Sequence, residues 1–378
     1  MRTTAAAEVW FAPGRANLMG EHTDYNGGFV LPFALAQGVT ATASGRDDEL
    51  LVLRSKQVPA ETVTVRLGSL EPGSVTGWAA YPAGVAWALR AAGHAVAGAT
   101  VDVDSDLPVG AGVSSSAALE CSVALALCSL SALSVPHREL AAIATRAENE
   151  FVGAPTGIID QSAALLCAEG HALLLDCETL AATQVPFRPA AAGVCALLID
   201  TRVTHALVSG EYAARRAECE AAARLLGVPA LGGLTNVRVL HRLGDPLLRR
   251  RARHVITDSA RARAIAAALQ GHSAEVGAGE PEIYAFIGKL LVEGHVSLRD
   301  DFEVSWPQAD VSVETAIAAG AYGAKMIGGG FGGSVLALVP AGEVGTVRTA
   351  VTEAFAARGW TSPEFLDAVP SPPARRLS

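Results

Sequence analysis

From Ser115 to Leu133 the chain offers a helix almost no polar face. A helix apolar on every side is buried on every side, so the rest of the chain must supply the layers that cover it. Just upstream, Thr100–Asp104 alternates, with Val101 and Val103 set to face inward and Thr100, Asp102 and Asp104 outward, the pattern of a half-buried strand. Between strand and helix lies a turn with Pro108, Gly110 and Gly112, and Ser115 or Ser116 opens the helix. Elsewhere strand-like and helix-like patterns alternate, so the fold class mixes α and β.

Val9–Ala12 reads as a short strand ending in a Pro13–Gly14 turn. His137–Phe151 reads as a helix with an apolar stripe of Leu140, Ala144, Ala147 and Phe151, and with Glu148 at the stripe's edge. Another helix starts near Ile158 and runs to Leu166. Strands are expected at Ala172–Asp176 and Val194–Asp200, and helices at Ser209–Leu226, Pro246–Leu269, Pro281–Gly294, Ser312–Ala319 and Glu343–Arg358. Lys325–Ile327 and Ser334–Val339 read as two strands around a glycine turn, and Pro370–Ser378 as a frayed tail. A length of 378 residues suits more than one domain, and a boundary near residue 180 divides 1–180 from 181–378.

With half the residues hydrophobic and 18% charged, there is ample material for a core. No apolar run reaches the ~18 residues of a membrane span; the densest, Cys121–Leu133, is short and broken by serines. After Arg2 and the first alanines no apolar h-region follows, which argues against a secretory signal. A net charge of −9 disfavours nucleic acid, and the arginines Arg249, Arg250, Arg251, Arg253, Arg261 and Arg263 read as a solvated helix face. Six cysteines without a C-x-x-C pair suit reduced thiols in the cytoplasm, and the scattered histidines form no H-E-x-x-H site.

Three segments carry chemistry. The first, residues 13–28, packs Arg15, Glu21, His22, Asp24 and two asparagines into a glycine-punctuated loop. Singly these residues suit a surface turn; as a cluster they suit a polyhydroxylated ligand, whose hydroxyls need donors and acceptors at fixed angles. The second, residues 107–118, combines Gly110 and Gly112 with Ser114, Ser115 and Ser116 at a helix start. Backbone N–H groups turned to one point before a helix N-terminus bind anions, although a plain serine N-cap would show the same residues. The segment is neither a Walker loop nor a nucleophile elbow. The third, residues 325–334, has five glycines between 328 and 333. It contains G-x-G-x-x-G, but a strand follows where a dinucleotide fold requires a helix, which excludes a nicotinamide dehydrogenase. A plain glycine hairpin remains open. Asp160, at an expected helix start, fits either a cap or a base.

Together these segments resemble a known family. The run Arg15–Gly28 is similar to the galactokinase signature, and Gly110–Ala118 and Gly328–Ser334 resemble the second and third motifs of the GHMP small-molecule kinases. The spacing Ala147-Glu148…Gly157-x-x-Asp160-Gln161, the run 211–216 and the run 297–303 match as well. The resemblance implies a two-domain α/β (α+β) fold with the active site in the interdomain cleft. It implies transfer of the ATP γ-phosphoryl group to the C1 hydroxyl of galactose, with Mg²⁺ beside ATP. By the same resemblance Asp160 matches the catalytic aspartate and Arg15 its partner. Glu21, His22, Asp24, Gly157 and Tyr212 match sugar-binding positions. Gly110, Gly112, Ser114, Ser115 and Ser116 match the phosphate loop, and Ser116 and Glu148 the magnesium positions. The partners expected are galactose and ATP, with no nucleic acid, no membrane and a monomeric chain. From periodicity alone Tyr212 is a core residue, on one stripe with Cys219.

Ala16, Met19, Ala111, Trp306, Ile327 and Ser334 depart from the residues common in the family. None removes a proposed catalytic group. Two rival readings stay in play: a kinase for N-acetylgalactosamine, arabinose or another sugar, and a non-catalytic galactose and ATP sensor. The intact serine run, Arg15 and Asp160 weigh against the sensor.

Overall fold

The computed structural model describes residues 7–108, 110–204, 209–271 and 281–378. Val109 of the second motif lies outside them, as do residues 1–6 with the N-terminal leader reading. Three sheets organise the described chain. The largest has the strand order Arg375–Arg376, Glu8–Asn17, Pro32–Arg46, Gly98–Ser105, Leu50–Ser55 and Thr62–Arg66. Its strands pair antiparallel except for Leu50–Ser55 against Gly98–Ser105. A four-stranded sheet runs Gly323–Met326, Ser334–Pro340, Val194–Asp200, Glu364–Asp367. A three-stranded sheet joins Phe29–Val30, His171–Asp176 and Ala182–Pro186.

The apolar helix forms over Ser115–Leu130 and packs on the strands Glu8–Asn17 and Pro32–Arg46. Val101 and Val103 of Gly98–Ser105 face the same core. Helices Ala80–Ala91, His137–Arg146 and Ile159–Leu166 complete the cover around it. A second core lies around the four-stranded sheet and the helices Ser209–Leu226, Pro246–Gly271, Pro307–Ala318 and Val344–Ala356. Helix Pro281–Asp300 packs on the strand Gly323–Met326. The turn at residue 180 joins two paired strands, His171–Asp176 and Ala182–Pro186.

Several expectations need correction. The first strand does not stop at Pro13–Gly14 but continues to Asn17, with a register shift between Pro13 and Arg15. A bulge lets a proline sit in a ladder, and it turns Arg15 toward the cleft. The tail is not frayed: Ser371 and Ala374 donate backbone N–H bonds to Ala34 and Ala164, and Arg375–Arg376 pairs with the first strand. The arginine cluster is not a uniformly solvated face. Arg251 is 1% exposed and its guanidinium bonds to Glu218, Glu303 and the Asp301 carbonyl. Helix His137–Phe151 is α-helical only to Arg146, and a π-turn spans Ala147–Val152. No helix among the described residues is long and apolar enough to cross a membrane. The cysteines are free thiols, and Cys121, Cys128, Cys167 and Cys219 are buried.

Candidate active site

A cleft of about 430 Å³ gathers every residue singled out from the sequence: Arg15, Glu21, His22, Asp24, Gly110, Gly112, Ser114, Ser115, Ser116, Glu148, Gly157, Asp160 and Tyr212. Tyr81, which carried no sequence signal, and Phe331, from within the third segment, line it too. The six family departures do not line it. Ala16, Met19, Ala111, Ile327, Ser334 and Trp306 are buried residues behind its wall.

At the centre, Arg15 Nε donates to Asp160 Oδ1 at 2.8 Å, and its other arm donates to the Gly112 carbonyl at 2.6 Å. Arg15 is 6% exposed, so the pair acts in a partly desolvated setting where charge interactions strengthen. One guanidinium thus spans the carboxylate and the glycine turn. Asp160 sits in the first turn of helix Ile159–Leu166.

On one side of the pair lies the 15–28 loop. Burial first, and then the Asp160 charge, push Asp24 up to about 6 against the backbone N–H groups of Tyr25 and Ile159. Gly157 has no side chain because a Cβ there would collide with the Asp24 carboxylate. His22 Nε2 donates to the Gly329 carbonyl at 3.2 Å, since a carbonyl only accepts; Nδ1 then accepts from Tyr25 Oη at 2.9 Å. The ring lies against Tyr212 and Phe302, with centroids 5.1 and 4.7 Å away. Tyr212 is half-buried and faces the cleft, because only the Cys219 end of its helix packs fully into the core.

Glu21 is held from below. Its carboxylate pairs with Lys325 Nζ at 2.5 Å, both side chains buried. Burial pushes Glu21 up and the Lys325 charge opposes it. Lys325 also donates to the Asn17 and Met326 carbonyls, and Asp258 accepts from the Gly20 N–H at 3.1 Å. His254 Nε2 donates to the Glu21 carbonyl at 3.0 Å. Sequence reading assigned Lys325, Asp258 and His254 nothing. Only for Lys325, a lone cation in an apolar strand, was there a signal.

Opposite lies the serine turn. Gly110, Gly112 and Ser114 hold positive φ values of 79°, 70° and 62°. Ser114 is the N-cap residue of Ser115–Leu130, yet its hydroxyl caps nothing and is buried without a partner among the described residues. A buried orphan hydroxyl at a helix N-terminus is a vacancy for an anion's oxygen. The glycine loop closes over this turn, with Ser334 Oγ donating to the Ala111 carbonyl at 2.7 Å. The loop is flanked by antiparallel strands, Gly323–Met326 and Ser334–Pro340, as the rejection of a dinucleotide fold requires.

Glu148 completes this side. It is 4% exposed and accepts from Gln161 and Thr156. Burial first, and then the Asp160 charge, raise its pKa. Among the described residues no basic side chain pairs with it, and none gives three or more His, Cys, Asp or Glu side chains around one point. A buried carboxylate without a counter-charge, beside a serine and an anion site, fits Mg²⁺, which takes one or two carboxylates plus phosphate oxygens.

The chain is similar to known proteins along almost its whole length. The galactokinase galactose-binding signature matches residues 2–45, the GHMP kinases N terminal domain residues 80–168, and the GHMP kinases C terminal residues 280–357. A Streptomyces coelicolor galactokinase is 50% identical over 373 residues, 98% of this chain and 94% of its own. The chain belongs to the galactokinase family of GHMP kinases. A galactokinase of Mycobacterium tuberculosis is 42% identical, over 93% of this chain and 94% of its own. The crystal structure of Lactococcus lactis galactokinase complexed with galactose matches with a TM-score of 0.92 at 32% identity, covering 99% of this chain and 96% of that one. A mevalonate kinase structure, TM-score 0.64 at 15% identity over 97% of this chain and 98% of its own, shares the fold. The galactokinase resemblance therefore extends from single motifs to almost the whole chain.

Proposed function

We propose that the chain transfers the γ-phosphoryl group of ATP to the C1 hydroxyl of galactose, giving galactose 1-phosphate and ADP. The observation that carries this reading is the 2.8 Å Arg15–Asp160 pair, set between a carboxylate-bearing loop and a helix N-terminus in one cleft. Phosphoryl transfer asks for positioning and charge stabilisation more than for covalent help. The C1 oxygen bonds to the γ-phosphorus, the bond to the β,γ-bridging oxygen breaks, and the hydroxyl proton passes to Asp160. Arg15 fixes Asp160 and adds positive charge where negative charge moves.

On the sugar side, Asp24 accepts hydroxyl protons in hydrogen bonds, Gly157 leaves room for it, and Tyr212 and His22 wall the site. Glu21 stiffens the loop through Lys325. On the nucleotide side, the turn of Gly110, Gly112, Ser114, Ser115 and Ser116 takes phosphate oxygens in front of the helix dipole. Ser116 and Glu148 would hold Mg²⁺, which when bound neutralises phosphate charge. We further read the chain as a cytoplasmic monomer, with free thiols suited to a reducing compartment, and as two halves, 1–180 and 181–378, joined across the cleft.

The test is a coupled ADP-release assay with ATP and Mg²⁺ on galactose, glucose, N-acetylgalactosamine, arabinose and 2-deoxygalactose. Turnover on galactose and not on glucose is expected. Turnover confined to another sugar of the panel overturns the substrate assignment. Galactose binding without turnover on any sugar overturns the kinase reading in favour of a sensor.

A further inference from the structure

Behind the cleft wall one amide joins four elements. Gln161, fully buried, follows Asp160 on helix Ile159–Leu166. Its Nε2 donates to Glu148 Oε2 at 2.7 Å and to Glu120 Oε2 at 2.9 Å. Its Oε1 lies 3.1 Å from Thr145 Oγ1, whose single proton it shares with the Ala141 carbonyl at 2.9 Å. A primary amide has two N–H donors and one carbonyl, and here both donors meet carboxylates. In this orientation the amide meets both carboxyl groups with its two donors, which its single oxygen could not replace one for one. Glu148 Oε2 also accepts from Thr156 Oγ1 at 3.0 Å, so that carboxylate cannot rotate without breaking two bonds.

The four elements are those the cleft must keep in register. Glu120 belongs to helix Ser115–Leu130, whose N-terminus carries the serines, and Glu148 to the π-turn Ala147–Val152. Thr145 lies on helix His137–Arg146, and Gln161 shares a helix with Asp160. Neither Glu120 nor Glu148 has a basic partner among the described residues, so Gln161 is the donor that holds both.

We infer that Gln161 is a positioning residue that locks the Glu148 carboxylate in register with Asp160 and the serine turn, so that a divalent cation arriving with a nucleotide meets a preset ligand. The inference rests on the reading of Glu148 as a metal ligand. Partners that orient a metal-binding carboxylate typically matter 10–100-fold in metal affinity. The 15–28 loop has anchors of its own in Lys325, Asp258 and His254, so galactose binding is expected to survive loss of this amide.

The test is calorimetric binding of ADP with and without Mg²⁺, and of galactose separately, to the wild type and to Gln161→Leu, Thr145→Val and Glu148→Gln. Gln161→Leu is expected to cut the Mg²⁺-dependent gain in ADP affinity by roughly 10–100-fold, with galactose affinity unchanged. Thr145→Val leaves both amide donors in place and frees only the carbonyl, so it should cut the gain by about threefold. An unchanged gain in Gln161→Leu, or a parallel loss of galactose binding, overturns the inference. If Gln161→Leu does not fold, Thr145→Val decides by the same criterion. If Glu148→Gln keeps the full Mg²⁺ gain, the metal reading falls and takes this inference with it. If Glu148→Gln loses the gain while Gln161→Leu keeps it, only the role of Gln161 falls.

Discussion

The two walls of the cleft are built by different means. The loop proposed to hold the sugar is tied down by side chains: Glu21 to Lys325, the Gly20 N–H to Asp258, His22 to Gly329 and the Glu21 carbonyl to His254. The turn proposed to hold the nucleotide is shaped by backbone, with Gly110, Gly112 and Ser114 at positive φ and the Ser114 hydroxyl left without a partner among the described residues. On the proposed function the contrast follows from the ligands. A neutral sugar is told from its epimers by the angles of single hydrogen bonds, so its acceptors must not move. A triphosphate brings its own charge and many equivalent oxygens, so a concave row of N–H groups and a helix dipole are enough. Arg15 belongs to both walls, since it bonds Asp160 and the Gly112 carbonyl.

The largest expected break comes at that shared point. Asp160→Asn should lower turnover by on the order of 10²–10⁴ while galactose still binds, the usual scale for a general base. Near-normal turnover in a stopped assay would remove Asp160 from the chemistry. Next is Lys325→Met, which leaves the buried Glu21 carboxylate without its counter-charge. It should destabilise the fold by about 3–5 kcal/mol in a denaturant titration, the cost of breaking a buried pair from one side. A loss under 1 kcal/mol would mean that the sugar wall does not depend on this tie.

Smaller effects sharpen the contrast itself. Asp24→Ala should weaken galactose binding by roughly 10–100-fold and ADP binding hardly at all, the range for a hydrogen bond to a charged group. Equal losses for both ligands would point to a folding defect instead. Galactose affinity should also fall as the pH drops through about 6, where Asp24 takes up a proton and one of its two oxygens turns from acceptor to donor. Asp24→Asn should flatten that profile. The stability term has the opposite sign. Because the folded pKa is raised, the native state binds the extra proton between the ordinary carboxylate range and about 6, so this group's contribution to stability declines as pH rises across that window.

Much of the fold was legible because local patterns and tertiary demands coincided. The apolar run after Ser114, the Val101 and Val103 alternation and the strand pair around the glycine loop all appear within about three residues of where periodicity put them, the helix ending at Leu130 and the first strand of the pair starting at Gly323. Reading failed where the signal was not local. The strand Pro32–Arg46 is long and central; Val39, Ala41 and Ala43 alternate with Thr40, Thr42 and Ser44, a signal left unread, while Pro32, Phe33, Ala34 and Leu35 are buried on both faces and show no alternation. The tail residues from Pro370 on look like a terminus, and only the sheet edge beside Val9 and the neighbouring Ala34 and Ala164 give them partners. Arg251 looks like any surface cation until Glu218, Glu303 and the Asp301 carbonyl close around it. Tyr212 shares a stripe with a core cysteine, yet faces the cleft because its end of the helix runs past the packed core.

The sequence by itself determined the inventory of the site. Chemistry-bearing residues of the 15–28 loop, the 110–116 turn and the Glu148–Asp160 segment are close in sequence within each group, and their residue types restrict what each group can bind. The tertiary structure decided how the groups act on one another. Arg15 and Asp160 lie 145 positions apart, Glu21 and Lys325 come from opposite ends of the chain, and Gln161 reaches Glu120 across 41 positions. Such pairings depend on which faces the sheets bury together, and burial is also what moves Asp24 to about 6. Desolvation and long-range contact are properties of the packed molecule, and no local pattern encodes them.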